Sequence, residues 1–226
     1  MLIPLTTVIV FSMIKDAFED YNRHKNDDKE NKSLADTFQK ESFQPKNWQD
    51  VRVGEIIKVK CDEQIPCDII IVHSSDPKGV CYTETKGLDG ETNLKMKNAP
   101  KLLQNKFQVP FDLKQIDGEI ICEQPNNAIY KFEGNIRLSN VNERIALGPE
   151  NMLLRGCSLK NTEFIYGIAI FTGHDTKVMK NAASAKYKFS SLENKMNMAI
   201  GLILVTQLIL SSIAAFFGAA WTYKAS

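Results

Sequence analysis

One short segment of the chain, KGLDGETNLK at positions 86–95, combines a tight turn with a carboxylate. Asp89 and Gly90 form a dipeptide that is typical of a β-hairpin turn. Glu91 and Thr92 follow directly, so the bend presents a carboxylate and a hydroxyl group. A carboxylate held in this way can act as a general base or orient a water molecule for attack on an electrophile. On spacing alone, a hairpin turn with an exposed glutamate is the simpler interpretation, because the chain supplies no electrophile of its own.

Signatures of other common sites are absent from the sequence. It contains no G-x-x-x-x-G-K-[ST] phosphate loop, no G-x-S-x-G elbow and no H-E-x-x-H zinc motif. The cysteines form no C-x-x-C pair and the three histidines are scattered, which argues against zinc. We expect free, mostly buried thiols. With 28 basic and 27 acidic residues, the chain has no charge excess that would attract a nucleic acid.

Short β-branched runs separated by turns predict the fold of the middle of the chain. The runs are VRVGEIIKVK, DIIIVHSS, VCYTET, GEIICEQ, AIYKFEGNIRL and EFIYGIAIFTG. This spacing is typical of a mainly β, jelly-roll-like domain, which we place at 45–181. At its margins, Pro149 is expected to open a short helical turn, and Asp175 to cap a helix at its N-terminus. Asp68 is expected to pin the start of a strand.

Apolar segments at both ends of the chain indicate membrane helices. The run at 197–223 lacks charged residues, exceeds the roughly 20 residues needed to cross a bilayer, and ends near the interfacial residues Trp221 and Tyr223. The segment 1–15 is too short to cross alone, so we interpret it as the inner end of a span that begins earlier. A stalk at 16–44 and a connector at 182–196 would join these helices to the β domain. Nearly all lysines and arginines lie between the two apolar segments, which predicts an integral, multi-pass membrane protein whose middle domain is cytoplasmic.

Three motifs together carry a resemblance to a known family. DGETNLK, with PCDIIIVHSS before it and FTGHDTKVM after it, resembles the actuator domain of type IV P-type ATPases, the phospholipid flippases. The resemblance extends over nearly the whole chain. KDAFEDYNRHKND is similar to the family's exit from its second span, and 197–221 to its third span. Three positions differ from the residues usual in the family: Gly87, Cys67 and Thr83. These differences bear on the assignment of a subtype and not on the resemblance to the family.

The resemblance implies a mechanism for the loop. In the family, an aspartate of another domain takes the γ-phosphoryl group of ATP, and water later hydrolyses the acyl phosphate. Glu91 would position and activate that water, Asp89 and Gly90 would shape the loop, and Thr92 would add a polar contact. The domain would swing as a rigid body on its two tethers.

The resemblance also implies the partners of the site. ATP and Mg²⁺ would act in the full-length parent protein, and this chain would bind neither. The expected partners are the phospholipid substrate, the membrane, an accessory two-span glycoprotein, and the phosphorylation and nucleotide domains of the same parent. Because the sequence has no D-K-T-G motif, we expect it to be an inactive fragment of an ATP-driven phospholipid translocase.

Two other functions remain open from the sequence. The first is the actuator domain of a P-type cation pump, whose loop usually has T-G-E followed by Ser or Ala. Here Asp89 replaces that threonine and Thr92 follows Glu91, which favours the lipid-transporting branch. The second is a non-catalytic β scaffold tethered to the membrane.

Overall fold

The computed structural model describes residues 2–114, 116–139, 144–182 and 191–225. The chain divides into two units, Met1–Ser184 and Ala185–Ser226. Most of the predicted connector, residues 183–190, lies outside the described residues. The first unit contains the β domain, and the second contains a long apolar helix.

The described residues form six α-helices and twelve β-strands. The helices are α1 (Leu2–Asn31), α2 (Lys86–Asp89), α3 (Lys101–Lys106), α4 (Pro110–Leu113), α5 (Lys177–Ala182) and α6 (Ser191–Ala225). The first six strands are β1 (Leu34–Gln39), β2 (Ser42–Asn47), β3 (Ile56–Lys60), β4 (Asp68–Ser74), β5 (Val80–Glu84) and β6 (Leu94–Asn98). The others are β7 (Gly118–Cys122), β8 (Gly134–Leu138), β9 (Arg144–Leu147), β10 (Met152–Leu153), β11 (Ser158–Lys160) and β12 (Phe164–Phe171).

The largest sheet has six strands in the order β10-β4-β12-β3-β1-β2, and all neighbouring strands are antiparallel. Its strand β4 is buried at every position. The continuous apolar run of β4, Ile69 to Val72, explains this, because a strand covered on both faces needs apolar side chains pointing both ways. Two smaller sheets have the orders β11-β5-β6 and β7-β8-β9. The prediction of a mainly β domain is therefore confirmed.

Strand β12 approaches β4 closely at Gly167. A Cβ atom at this position would lie 2.7 Å from Cδ1 of Ile69. The register of the two strands also shifts between Tyr166 and Gly167, which marks a bulge. A glycine here lets the two central strands of the sheet pack against each other without a clash.

The β domain begins earlier than the sequence predicted. Strands β1 and β2 form a hairpin, and β1 also pairs with β3, so both belong to the large sheet. They lie largely within 16–44, which the sequence assigned to the stalk. The hairpin turns at Lys40 and Glu41, whose φ angles are 45° and 79°. Neither residue is typical of such a turn, and this is why no turn signal was visible in the sequence.

Asp68, at the start of β4, joins distant segments of the chain. Its Oδ1 atom accepts the backbone N–H of Arg155 at 2.9 Å, and its Oδ2 atom accepts that of Lys177 at 2.7 Å. The prediction that Asp68 pins a strand start is confirmed. Asp68 also accepts the first N–H of α5, which is the capping role that the sequence assigned to Asp175. That prediction for Asp175 was wrong, because Asp175 lies in a separate 3₁₀ turn. Burial raises the pKa of Asp68 to about 6.

Helix α1 runs without a break through the predicted inner span and into the predicted stalk. Near its end, Oε1 of Glu30 accepts a hydrogen bond from Nη2 of Arg155 at 2.8 Å. Among the described residues, α6 alone contains a segment that is long and apolar enough to cross a membrane. This segment, Met198–Gly218, has 21 residues and a mean hydropathy of 2.2.

All five cysteines are free, as the sequence predicted. Three of them are buried: Cys67, Cys81 and Cys157. Burial raises the pKa of Cys67 and Cys81 to about 12, so these thiols remain protonated at neutral pH. Pro149 begins a 3₁₀ turn, also as expected.

Candidate active site

The loop that carries Glu91 connects two antiparallel strands, β5 and β6, with Glu84 opposite Leu94. The predicted hairpin is confirmed, but its connection is not a two-residue turn. Nine residues, 85–93, join the strands. They include the helical turn α2, in which the N–H groups of Leu88 and Asp89 bond to the carbonyl of Thr85. Gly90 ends this turn with φ of 75°, in the left-handed region where glycine is favoured.

Asp89 organises the loop through its carboxylate. Its Oδ1 atom accepts the backbone N–H of Glu91 at 3.0 Å. The Thr85 hydroxyl lies 2.9 Å from Oδ1 and 3.0 Å from Oδ2. Lys95 donates to Oδ2 at 2.5 Å, and the hydroxyl of Tyr130 donates to the same atom at 3.0 Å. Because its two oxygens accept hydrogen bonds from all these groups, Asp89 is suited to stabilise the conformation of the loop.

The charges around Asp89 reinforce one another. The hydrogen bond from Lys95, followed by that from the Glu91 N–H, holds the pKa of Asp89 well below its usual range. The same pairing raises the pKa of Lys95 above its usual value. The bond to Asp89 also raises the pKa of the Tyr130 hydroxyl, which therefore stays protonated at neutral pH as a donor. Asp89 and Lys95 thus form an ion pair at physiological pH.

Glu91 is held at its backbone but exposed at its side chain. The side chain is 55% exposed, and its Oε2 atom lies 3.2 Å from Nζ of Lys95. Its other oxygen, Oε1, contacts no donor among the residues that the structure describes. A carboxylate with one free, solvent-facing oxygen can accept a proton from a water molecule that a partner presents. The geometry therefore allows Glu91 to act as a general base.

The other predicted site residues have different surroundings. Gly90 is open, since a Cβ atom there would meet nothing within 4 Å. Thr92 is exposed, and no hydrogen bond of its side chain occurs within the described part of the chain. Sequence reasoning missed three side chains that contact Asp89: Thr85, Lys95 and Tyr130. The spacing of Lys95, four residues after Glu91, was an available signal. No local signal pointed to Tyr130, which lies 41 residues after Asp89.

A small cavity of about 80 Å³ adjoins the loop. Leu88, Tyr130 and the β6 residues Lys95 and Lys97 are among the residues that line it. Nζ of Lys97 donates to the carbonyl of Pro149 at 2.6 Å, and burial lowers the pKa of Lys97. This bond connects β6, the strand that follows the loop, to the 3₁₀ turn before β10. Because β10 belongs to the large sheet, the bond holds β6 close to that sheet.

No group of three or more His, Cys, Asp or Glu side chains that could hold a metal ion occurs among the described residues. The site around Glu91 is instead a carboxylate, an adjacent ion pair and an aromatic hydroxyl. This arrangement can provide a base.

Residues 29–186 match the family model of the P-type ATPase actuator domain. The chain belongs to this family. The match covers the β domain and the loop with Glu91, and its first residue lies before β1. It agrees with the structural finding that the domain begins ahead of position 45.

Similar proteins are phospholipid-transporting ATPases. The chain is 42% identical to phospholipid-transporting ATPase 1 of Arabidopsis thaliana over 97% of its length, covering 19% of that protein. It is 41% identical to phospholipid-transporting ATPase DRS2 of Saccharomyces cerevisiae over 92% of its length, covering 16% of that protein. It is 39% identical to phospholipid-transporting ATPase VB of Homo sapiens over 97% of its length, covering 15% of that protein. The actuator domain is thus homologous to those of phospholipid-transporting P-type ATPases, which favours the lipid branch over the cation-pump alternative. The chain spans less than a fifth of the length of these relatives.

Proposed function

We propose that this actuator domain promotes hydrolysis of an aspartyl phosphate in a phospholipid-transporting ATPase, with Glu91 as the base. The observation that carries the proposal is the state of Glu91. Its backbone is fixed by Asp89, while its carboxylate is more than half exposed with one oxygen free. A base that must meet a substrate on another domain needs this combination of fixed position and open approach.

The chemical step can be written for the residues of the loop. A water molecule lies between Glu91 and the phosphorus atom of the aspartyl phosphate. Glu91 takes a proton from the water as the water oxygen bonds to phosphorus. The bond between phosphorus and the acyl oxygen breaks, which releases inorganic phosphate and restores the aspartate carboxylate. Asp89 and Gly90 shape the loop, and Thr92 supplies a polar contact to the phosphoryl group.

The arrangement of the whole protein forms part of the proposal. Segments 1–15 and 197–223 lie in the membrane, and the domain at their cytoplasmic side moves as a rigid body so that hydrolysis is coupled to lipid movement. ATP and Mg²⁺ bind to the phosphorylation and nucleotide domains of the parent. The relatives, which are phospholipid-transporting ATPases by name, support a phospholipid as the transported substrate. An accessory two-span glycoprotein is the further partner that we propose.

The test is the replacement of Glu91 by glutamine in the full-length parent. The Glu91→Gln variant keeps the size of the side chain but loses the basic carboxylate. We expect phosphoenzyme formation at the wild-type rate and phosphoenzyme decay slowed by about 100-fold or more, the usual contribution of a general base. Rapid-quench measurement of acid-stable phosphoenzyme from labelled ATP separates the two steps.

Glu119→Gln is the matched control. Glu119 lies on β7, is exposed, and makes no ion pair among the described residues, so the same change of charge should leave both rates unchanged. Decay of the Glu91→Gln phosphoenzyme at the wild-type rate would refute the catalytic role. That result would favour the scaffold alternative, in which the domain contributes shape but no chemistry.

A further inference from the structure

The loop 123–133, between β7 and β8, is anchored to the β domain at its base. The N–H of Glu123 donates to the carbonyl of Glu133 at 3.1 Å, which closes the loop. The side chain of Lys177 is completely buried, and its Nζ atom lies 2.7 Å from Oε1 of Glu123 and 2.7 Å from Oδ1 of Asn126. A buried ammonium group with two oxygen partners makes this end of the loop rigid, because breaking either contact leaves a buried charge poorly solvated.

The tip of the same loop is also held in place. Phe132 is 2% exposed, and Ile129 packs partly buried against the core. Between them, Tyr130 is 63% exposed, so its ring contributes little to the core. Its contacts are polar: the hydroxyl donates to Oδ2 of Asp89, and the ring centroid lies 4.9 Å from Nζ of Lys95.

We propose that Tyr130 is a positioning residue for Glu91, acting through Asp89 and Lys95. The proposal rests on the proposed function of Glu91 and adds to it a residue from a separate loop. Nζ of Lys95 lies 2.5 Å from Asp89 and 3.2 Å from Glu91, so one ammonium group is shared by two carboxylates. Tyr130, which lies in the anchored loop 123–133, contacts both Asp89 and Lys95.

The position of Lys95 determines whether Glu91 is free to act. While Lys95 stays with Asp89, its Nζ atom lies 2.5 Å from Oδ2 of Asp89 and farther, 3.2 Å, from Oε2 of Glu91. If Lys95 moved fully to Glu91, it would hydrogen bond to the carboxylate and lower its basicity. The Tyr130 hydroxyl holds the Asp89 carboxylate in the orientation in which Oδ2 meets Lys95, and the ring face favours the same position of the ammonium group. Without the hydroxyl, the Asp89 carboxylate is free to turn away from Lys95. Loss of the hydroxyl should therefore shift Lys95 toward Glu91.

The experiment uses the full-length parent with Tyr130→Phe, which removes only the hydroxyl. We expect phosphoenzyme formation at the wild-type rate and decay slower by about three- to tenfold, the effect of one charge-assisted hydrogen bond on a positioned group. Tyr82→Phe is the control, because Tyr82 lies on β5 and its hydroxyl makes no hydrogen bond among the described residues. Its decay rate should match the wild type.

A double-mutant cycle with Lys95→Met distinguishes positioning from a general loss of structure. If Tyr130 acts through Lys95, the Tyr130→Phe change should slow decay by less than twofold in the Lys95→Met background. Equal slowing in both backgrounds, equal slowing of formation and decay, or no slowing at all would each overturn the proposal. Glu91→Gln is assayed in parallel: if it traps the phosphoenzyme while Tyr130→Phe does not, only the role of Tyr130 fails.

Discussion

Replacing Asp68 with alanine should destabilise the β domain strongly, although Asp68 lies outside the site of Glu91. The wild-type carboxylate accepts the backbone N–H groups of Arg155 and Lys177. Alanine leaves both donors without a partner at a fully buried position. Each unpartnered buried donor costs about 1–3 kcal/mol, so the loss of two should lower the free energy of unfolding by about 2–6 kcal/mol.

Urea unfolding of the 226-residue chain in detergent measures this change. Trp48 reports on the β domain when Trp221 is replaced by phenylalanine in every variant. With a urea dependence of about 2 kcal/mol per molar, the middle of the usual range for small proteins, the midpoint for Asp68→Ala should fall by roughly 1–3 M. Asp68→Asn keeps one acceptor oxygen but turns an amide donor toward the other N–H, so its midpoint should lie between those of Asp68→Ala and the wild type.

The control is Asp117→Ala, since Asp117 is exposed and its side chain makes no hydrogen bond among the described residues. Its midpoint should equal that of the wild type. The reasoning fails if Asp68→Ala unfolds within about 0.5 kcal/mol of the wild type, the range expected for surface changes. It also fails if Asp68→Ala and Asp117→Ala lower the free energy of unfolding by the same amount.

Three further predictions concern pH and two glycines. Because the pKa of Asp68 is about 6 in the folded domain and 3.8 is its usual value, the folded state binds the proton more tightly. The stability of the wild type relative to Asp68→Asn should therefore fall by about 2–3 kcal/mol as pH rises from 4 to 7, and a difference independent of pH would contradict this. Gly167→Ala places a Cβ 2.7 Å from Ile69 and should lower the free energy of unfolding by about 1–3 kcal/mol in the same urea assay. Gly90→Ala meets no atom within 4 Å, so it should cost only the backbone strain at φ of 75°, about 1–2 kcal/mol. A larger loss for Gly90→Ala than for Gly167→Ala would show that these steric assignments are wrong.

Much of the fold was predictable because its elements are encoded locally. The run from Ile69 to Val72 is apolar at every position, which predicts a strand, and the structure places it at the centre of the largest sheet. The alternation of short β-branched runs and turns predicted the mainly β class. The apolar run within α6 predicted a membrane-compatible helix from composition alone. By contrast, the turn at Lys40 and Glu41 carries no glycine or asparagine, and so the first hairpin was not found.

The sequence by itself determined that Glu91 follows a bend stabilised by Gly90, because the turn residues and the carboxylate are neighbours in the chain. It also determined that Asp68 begins a buried strand. Only the tertiary structure decided which groups surround them. Tyr130 reaches Asp89 across 41 residues, and Lys177 reaches Asp68 across 109. Such contacts depend on how the sheets pack and on where the loop between β7 and β8 is anchored. Because they follow no local period or propensity, they cannot be derived from the neighbours of either residue.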